Sequence, residues 1–195
     1  MPRRPSVFAL LSPAVMLIAC GTDEPSPATI KVGACDGTQT RVEDELGVHV
    51  PIGSAIEWST NPPVTGPHFP IWAAWDREYT ELPRGHYVHN LEHGGIVLAY
   101  NCPDGCPDVV EKLRTIVREF DADVLCNAPV RNRFVVTGDP LLPAGVQVAA
   151  LSWDAMWTGG CFDPYVRTFA GTHYRRAPED LCVDGANLGG TLIVP

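Results

Sequence analysis

Five of the six histidines lie between residues 49 and 93, and the densest run is His86-Tyr87-Val88-His89-Asn90-Leu91-Glu92-His93-Gly94-Gly95. His89 and His93 stand four apart with Glu92 between them, so a single helical turn would carry all three toward one side of the backbone. Neutral imidazoles joined by a carboxylate suit a first-row transition metal, here copper or zinc. We read His68, His89 and His93 as the ligands, with His49 or Glu92 as a fourth ligand or as a partner that orients one. Pro67 stiffens the backbone before His68 and Gly94 frees it after His93, which fits side chains delivered from loops. Because such ligands must be neutral, protons should compete with the ion as pH falls through about 6.5, the ordinary imidazole value.

Two other chemistries use the same residues. His89-x-x-Glu92-His93 matches the H-x-x-E-H pattern of zinc proteases, in which the histidines bind zinc and the glutamate is the general base. That arrangement needs a long helix, whereas Gly94-Gly95 and an apolar, strand-like run follow at once, so binding is favoured over catalysis. Alternatively the cluster is architectural. Asn61-Pro62-Pro63 and Gly66-Pro67 read as rigid turns, and His68 could hydrogen-bond across to the His89–His93 turn without burying a charge. Ser152-Trp153-Asp154 has no histidine matched to it as a serine nucleophile would require.

The elements that must position these side chains are partly visible. Residues 96–100 form a compact apolar strand candidate. In 108–120, Val109, Val110, Leu113, Ile116, Val117 and Phe120 recur at helical spacing, with Asp108 as the expected N-cap. Further strands are expected at 123–126, 133–137 and 146–152, and a second helix at 164–173 with Tyr165, Val166 and Phe169 on one face. Between Cys35 and Tyr87, Pro and Gly interrupt the pattern and leave only brief strand candidates at 48–52 and 55–59. Trp72, Trp75, Trp153 and Trp157 suit core or groove walls. The expected fold is α+β: one compact domain over 35–195, with a small mixed or antiparallel sheet, two main helices and a loop-rich N-terminal half.

The N-terminus sets the compartment. Arg3 and Arg4 precede an apolar run, and Leu17-Ile18-Ala19-Cys20 has the form of a lipobox, so residues 1–19 read as a signal peptide and Cys20 as a lipidated cysteine. Several acyl chains on Cys20 would hold the protein to a membrane firmly. Gly21 and Thr22, rather than Asp, follow the cysteine and favour the outer membrane of a Gram-negative cell. Residues 20–34 are polar and Pro-containing and read as a tether. Cleavage would remove two of 14 basic residues and none of 23 acidic ones, taking the net charge from −9 to −11. So acidic a chain argues against nucleic acid as a partner, and no motif identifies a protein partner.

The remaining cysteines, Cys35, Cys102, Cys106, Cys126, Cys161 and Cys182, are even in number and in an oxidising compartment read as disulfides. Cys161 with Cys182, and Cys102 or Cys106 with Cys126 or Cys35, are the pairings expected. The three-residue spacing of Cys102 and Cys106 is not that of thioredoxin-like motifs, and no second pair completes a zinc knuckle.

The blocks Asn61-Pro62-Pro63-Val64-Thr65-Gly66-Pro67-His68 and Val88-His89-Asn90-Leu91-Glu92-His93-Gly94-Gly95, with His49 before them and 96–100 after, resemble the bacterial domain-of-unknown-function family DUF3105. The segments 149–153 and 162–180, with Ala177-Pro178-Glu179, are similar to that family's C-terminal part. The resemblance spans most of 46–180 and implies a cell-envelope domain without an established activity. Carried over by motif, its site positions are His49, His68, His89, Glu92 and His93; His86 lies outside the blocks. The cysteines look like a local addition to the family pattern, which fits disulfide reinforcement.

Overall fold

The computed structural model describes residues 28–193. The readings of a signal peptide and of lipid on Cys20 lie outside the described residues. In chain order the elements are β1 (Ala28–Lys31), β2 (Thr38–Arg41), β3 (Arg77–Tyr79), α1 (Arg84–Glu92), β4 (Ile96–Tyr100) and α2 (Pro107–Glu119). There follow β5 (Phe134–Gly138), β6 (Val148–Ser152), β7 (Ala155–Gly159), α3 (Tyr165–His173) and β8 (Thr191–Leu192). The strands form one mixed sheet in the order β1-β2-β7-β6-β4-β5-β3-β8.

The sheet is covered on both sides, and strand alternation decides what each side meets. Val97, Ala99, Val135, Ala149 and Leu151 face a core built from α1 and the long loops, including Trp75, Tyr87, Val88, Leu91 and Trp153. Their neighbours Ile96, Leu98, Phe134, Val136, Val148 and Ala150 face α2 and α3 through Leu113, Ile116, Val117, Val166 and Phe169. Burial on both faces explains why the central strands read as continuous apolar runs rather than alternating ones. β4 and β5 pair in parallel, Val97 opposite Val135, with α2 as the crossover between them. The fold is α+β, as expected, with three helices rather than two.

Several local expectations need correcting. Residues 123–126 turn instead of extending, because the Asp123 carboxylate accepts the Leu125 N–H at 2.9 Å and the Asp123 carbonyl accepts the Cys126 N–H at 3.0 Å. Residues 48–52 and 55–59 are not strands, apart from one bridge in which His49 pairs with His68. Asp108 does not cap α2: Cys106 holds that position without a side-chain bond and Pro107 opens the helix, where its missing N–H costs nothing. Ala28–Lys31, within the stretch read as a tether, is an exposed edge strand paired with β2.

All six cysteines in the described residues pair, but not as expected: Cys35 with Cys161, Cys102 with Cys106 and Cys126 with Cys182. The reason is topological. β2 pairs antiparallel with β7, which sets Cys35 beside Cys161; the Gly160 N–H donates to the Cys35 carbonyl at 2.9 Å. Disulfides of this density belong to an oxidising compartment. Among the described residues no helix is long and apolar enough to cross a membrane.

Candidate metal centre

α1 and its C-cap residue His93 deliver three of the site's side chains, and the local sequence explains how. Val88 and Leu91 are fully buried in the core, and Asn90 clasps Ala73, accepting its N–H at 3.0 Å and donating to its carbonyl at 2.8 Å. That fixes the helix rotation and turns His89, Glu92 and His93 toward one another. The helix then ends in a Schellman turn: the Gly94 N–H bonds the Leu91 carbonyl at 2.9 Å and the Gly95 N–H the Asn90 carbonyl at 3.0 Å. Gly94 has φ +80°, a conformation that costs a side-chain-bearing residue strain. The two glycines therefore stop the helix at His93 and send the chain directly into β4.

His68 arrives from the opposite side. Its N–H bonds the Val48 carbonyl at 3.0 Å and its carbonyl accepts the Val50 N–H at 2.8 Å, so His49 and His68 are adjacent on two paired segments. His49 is exposed and stacks on His89, with ring centroids 4.8 Å apart. His68, His89 and His93 are buried, and the Trp72 ring covers His89 and His93 at 5.0 and 4.5 Å between centroids.

Backbone carbonyls fix two of the rings' tautomers. The His68 Nδ1 lies 2.9 Å from the Gly66 carbonyl and the His89 Nδ1 2.7 Å from the Phe69 carbonyl. A carbonyl only accepts, so each Nδ1 carries a proton and, in the neutral ring, each Nε2 presents a lone pair to the cluster. The His68 nitrogen meets another acceptor. The His68 Nε2 is 3.0 Å from the Glu92 Oε2, within ion-pair distance, yet it has no hydrogen-bond partner because the oxygen lies off the direction in which an N–H would point. The His89 Nε2 is 3.1 Å from the His93 Nε2, which is itself 3.1 Å from the Glu179 Oε2. One proton on that His93 nitrogen can serve only one of its two neighbours.

Burial keeps the His89 and His93 rings neutral. Loss of hydration pushes the His89 pKa down to about 3 and that of His93 down to about 4, and neighbouring imidazoles add to both shifts. His68 and His89, with Nδ1 tied to carbonyls and Nε2 turned to the cluster, have the arrangement in which metal-binding histidines are held, whereas the buried His93 Nδ1 has no partner. His49, His68, His89 and Glu92 offer donor atoms that all lie within 4.8 Å of one another, and Glu92, His93 and Glu179 form a second such set. A group of this kind could hold a metal ion.

All five expected site residues thus come together. His86 does not join them: its Nδ1 bonds the Ile71 carbonyl at 2.6 Å and its ring packs edge-on to Phe69. His173 lies on α3, stacked on Phe169. Sequence reasoning missed two participants. Glu179 is exposed, but its N–H bonds the Glu92 carbonyl at 3.0 Å, which seats its loop on the end of α1; the one available signal was its place in the Ala177-Pro178-Glu179 block. Gly47 is the other. A Cβ there would overlap the Glu92 Oε1, so the absence of a side chain makes room for the carboxylate.

The model of a family described as a protein of unknown function (DUF3105) matches residues 49–184, a span that holds every donor named above. No curated protein and no solved structure matches the chain.

Proposed function

The chain belongs to the DUF3105 family, and from that premise we propose that it is a transition-metal-binding module of the cell envelope, taking copper or zinc through His68, His89 and His93 with Glu92 and His49 beside them. Family membership brings no activity, so the reading rests on the site. The observation that carries it is the crowding of the His68, His89 and His93 Nε2 atoms against one another and against two carboxylates at 3.0–3.1 Å, with no aligned proton between His68 and Glu92 and a single His93 proton for either His89 or Glu179. Opposed lone pairs repel at such distances in a buried setting, and a cation between them turns that repulsion into coordination. The disulfides support an envelope location, and the lipobox at Cys20 supports anchorage to a membrane through lipid.

The chief competitor is a purely architectural cluster, favoured by the backbone pairing of His68 with Val48 and Val50, which would tie two loops together without any ion. A zinc hydrolase would need Glu92 free to act as base. Its carboxylate instead stands 3.0 Å from the His68 Nε2, which supports a ligand's role.

Metal analysis of untagged protein from an oxidising compartment tests the proposal, followed by melting with added copper or zinc. Saturation at a hundred times the dissociation constant should stabilise the fold by about 2.7 kcal/mol. His89→Ala should abolish that increment and His93→Ala reduce it, while His86→Ala and His173→Ala keep it whatever they do to the baseline. No bound metal and no shift in melting temperature across pH 6 to 8 would leave the architectural reading standing.

A further inference from the structure

The donors outnumber what one ion can use. Histidine and carboxylate ligands bind zinc at about 2.0–2.2 Å, and a closed zinc shell takes about four of them. Six side chains converge here, and they divide into two sets, His49, His68, His89 and Glu92 on one side and Glu92, His93 and Glu179 on the other. Glu92 belongs to both. Its two oxygens allow one to each set, and the His93 Nε2 to Glu179 Oε2 distance of 3.1 Å is close to the edge of a metal's tetrahedral shell.

Resting on the metal reading above, we infer that the site binds two divalent first-row ions bridged by the Glu92 carboxylate. The first has four protein donors, three imidazoles and one carboxylate, the number and type that a zinc shell takes. The second has three, His93, Glu179 and the shared Glu92, and keeps an open position beside exposed Glu179. Bridged pairs of this type hold their ions about 3.5–4 Å apart.

The second set is built into the fold. The Glu179 loop is fastened to the end of α1 by the Glu179 N–H to Glu92 carbonyl bond and by the Arg175 N–H to Gly94 carbonyl bond at 2.9 Å. Asp180, next in sequence, pairs with Arg133 at 2.7 Å, and Arg133 is fully buried and donates to the His93 carbonyl at 2.8 Å. One buried guanidinium thus holds both the residue after Glu179 and the backbone of His93.

The test is stoichiometry. Full chain produced through an oxidising compartment is stripped with chelator, titrated with zinc and analysed for bound metal, then reloaded with cobalt(II) for spectroscopy. Wild type should take two ions per chain, Glu179→Gln one, and the two cobalt ions should show magnetic coupling that the variant lacks. Glu179 is exposed, so its replacement leaves the fold intact, which the far-ultraviolet spectrum checks. One ion per chain in wild type, with Glu179→Gln unchanged in affinity, overturns the two-ion site and leaves the single-metal module standing. Two uncoupled ions overturn the bridge. No ion in either protein overturns the metal reading itself.

Discussion

Single atoms decide whether this cluster can bind a metal. His89 and His93 lose hydration on folding, and their pKa values fall from the ordinary imidazole range to about 3 and about 4. The unfolded chain therefore takes up protons at these positions before the folded one does. Stability from this source is complete above about 6.5 and drains away as pH falls toward 4 and then 3. Chelator-treated protein should show that loss as a melting temperature falling over this window, and His89→Ala should flatten part of it. The same shifts lower the pH at which protons compete for these two ligands below the 6.5 expected of exposed imidazole. A metal-induced rise in melting temperature should thus persist at pH 6. Gly47 acts at the same scale. Ala there should push the flexible Glu92 carboxylate aside at small cost to the fold while weakening metal affinity about tenfold or more, the effect of losing a ligand or its orientation. Unaltered affinity in a titration of Gly47→Ala would remove Glu92 from the ligand set.

α1 is nine residues long and buried nearly all round, from Gly85 to Leu91. A helix enclosed on every side has no apolar stripe for periodicity to reveal, and this one devotes its surface to His86, His89 and Asn90 as well as to Tyr87, Val88 and Leu91. Its start is held by Arg84, whose Nε pairs with Asp139 at 3.0 Å, and by the Tyr87 hydroxyl donating to the same carboxylate at 3.3 Å. Its end depends on Gly94. Gly94→Ala forces a side chain into φ +80° and brings a Cβ within 3.0 Å of the Arg175 Cα. The expected cost is about 1–2 kcal/mol, read by denaturant unfolding, together with displacement of the Glu179 loop and reduced zinc uptake. A variant as stable as wild type would show that the turn tolerates other conformations.

At the scale of the molecule, the site sits where the loop-rich N-terminal half, the end of α1 and the 175–180 segment meet over one face of the sheet. The Cys126–Cys182 disulfide closes a loop with a sequence separation of 56 and secures the chain beyond Glu179. Closing a loop of that length removes denatured-state freedom worth about 4 kcal/mol. The proposed lipid on Cys20 would place the domain at a membrane surface in the same oxidising compartment that its disulfides require. Replacing Cys20 with Ala should move the protein from the membrane to the soluble envelope fraction; unchanged retention after fractionation would remove the lipid assignment.

The amino-acid sequence alone determined the α+β class, the long amphipathic helix α2, the apolar strands β4, β5 and β6 and the even set of paired cysteines, and it singled out His49, His68, His89, Glu92 and His93, which the fold brings together. These are legible because periodicity, composition and short motifs are local properties. Disulfide connectivity, the strand β7, the buried helix α1 and the roles of Gly47 and Glu179 were decided only by tertiary structure. Cys35 meets Cys161 because β2 pairs with β7, and Glu179 meets His93 because its loop hydrogen-bonds to the end of α1. Contacts between residues so far apart in the chain are set by sheet order and by the hydrogen bonds that loops must find once buried, and neither leaves a spacing that can be read along the chain.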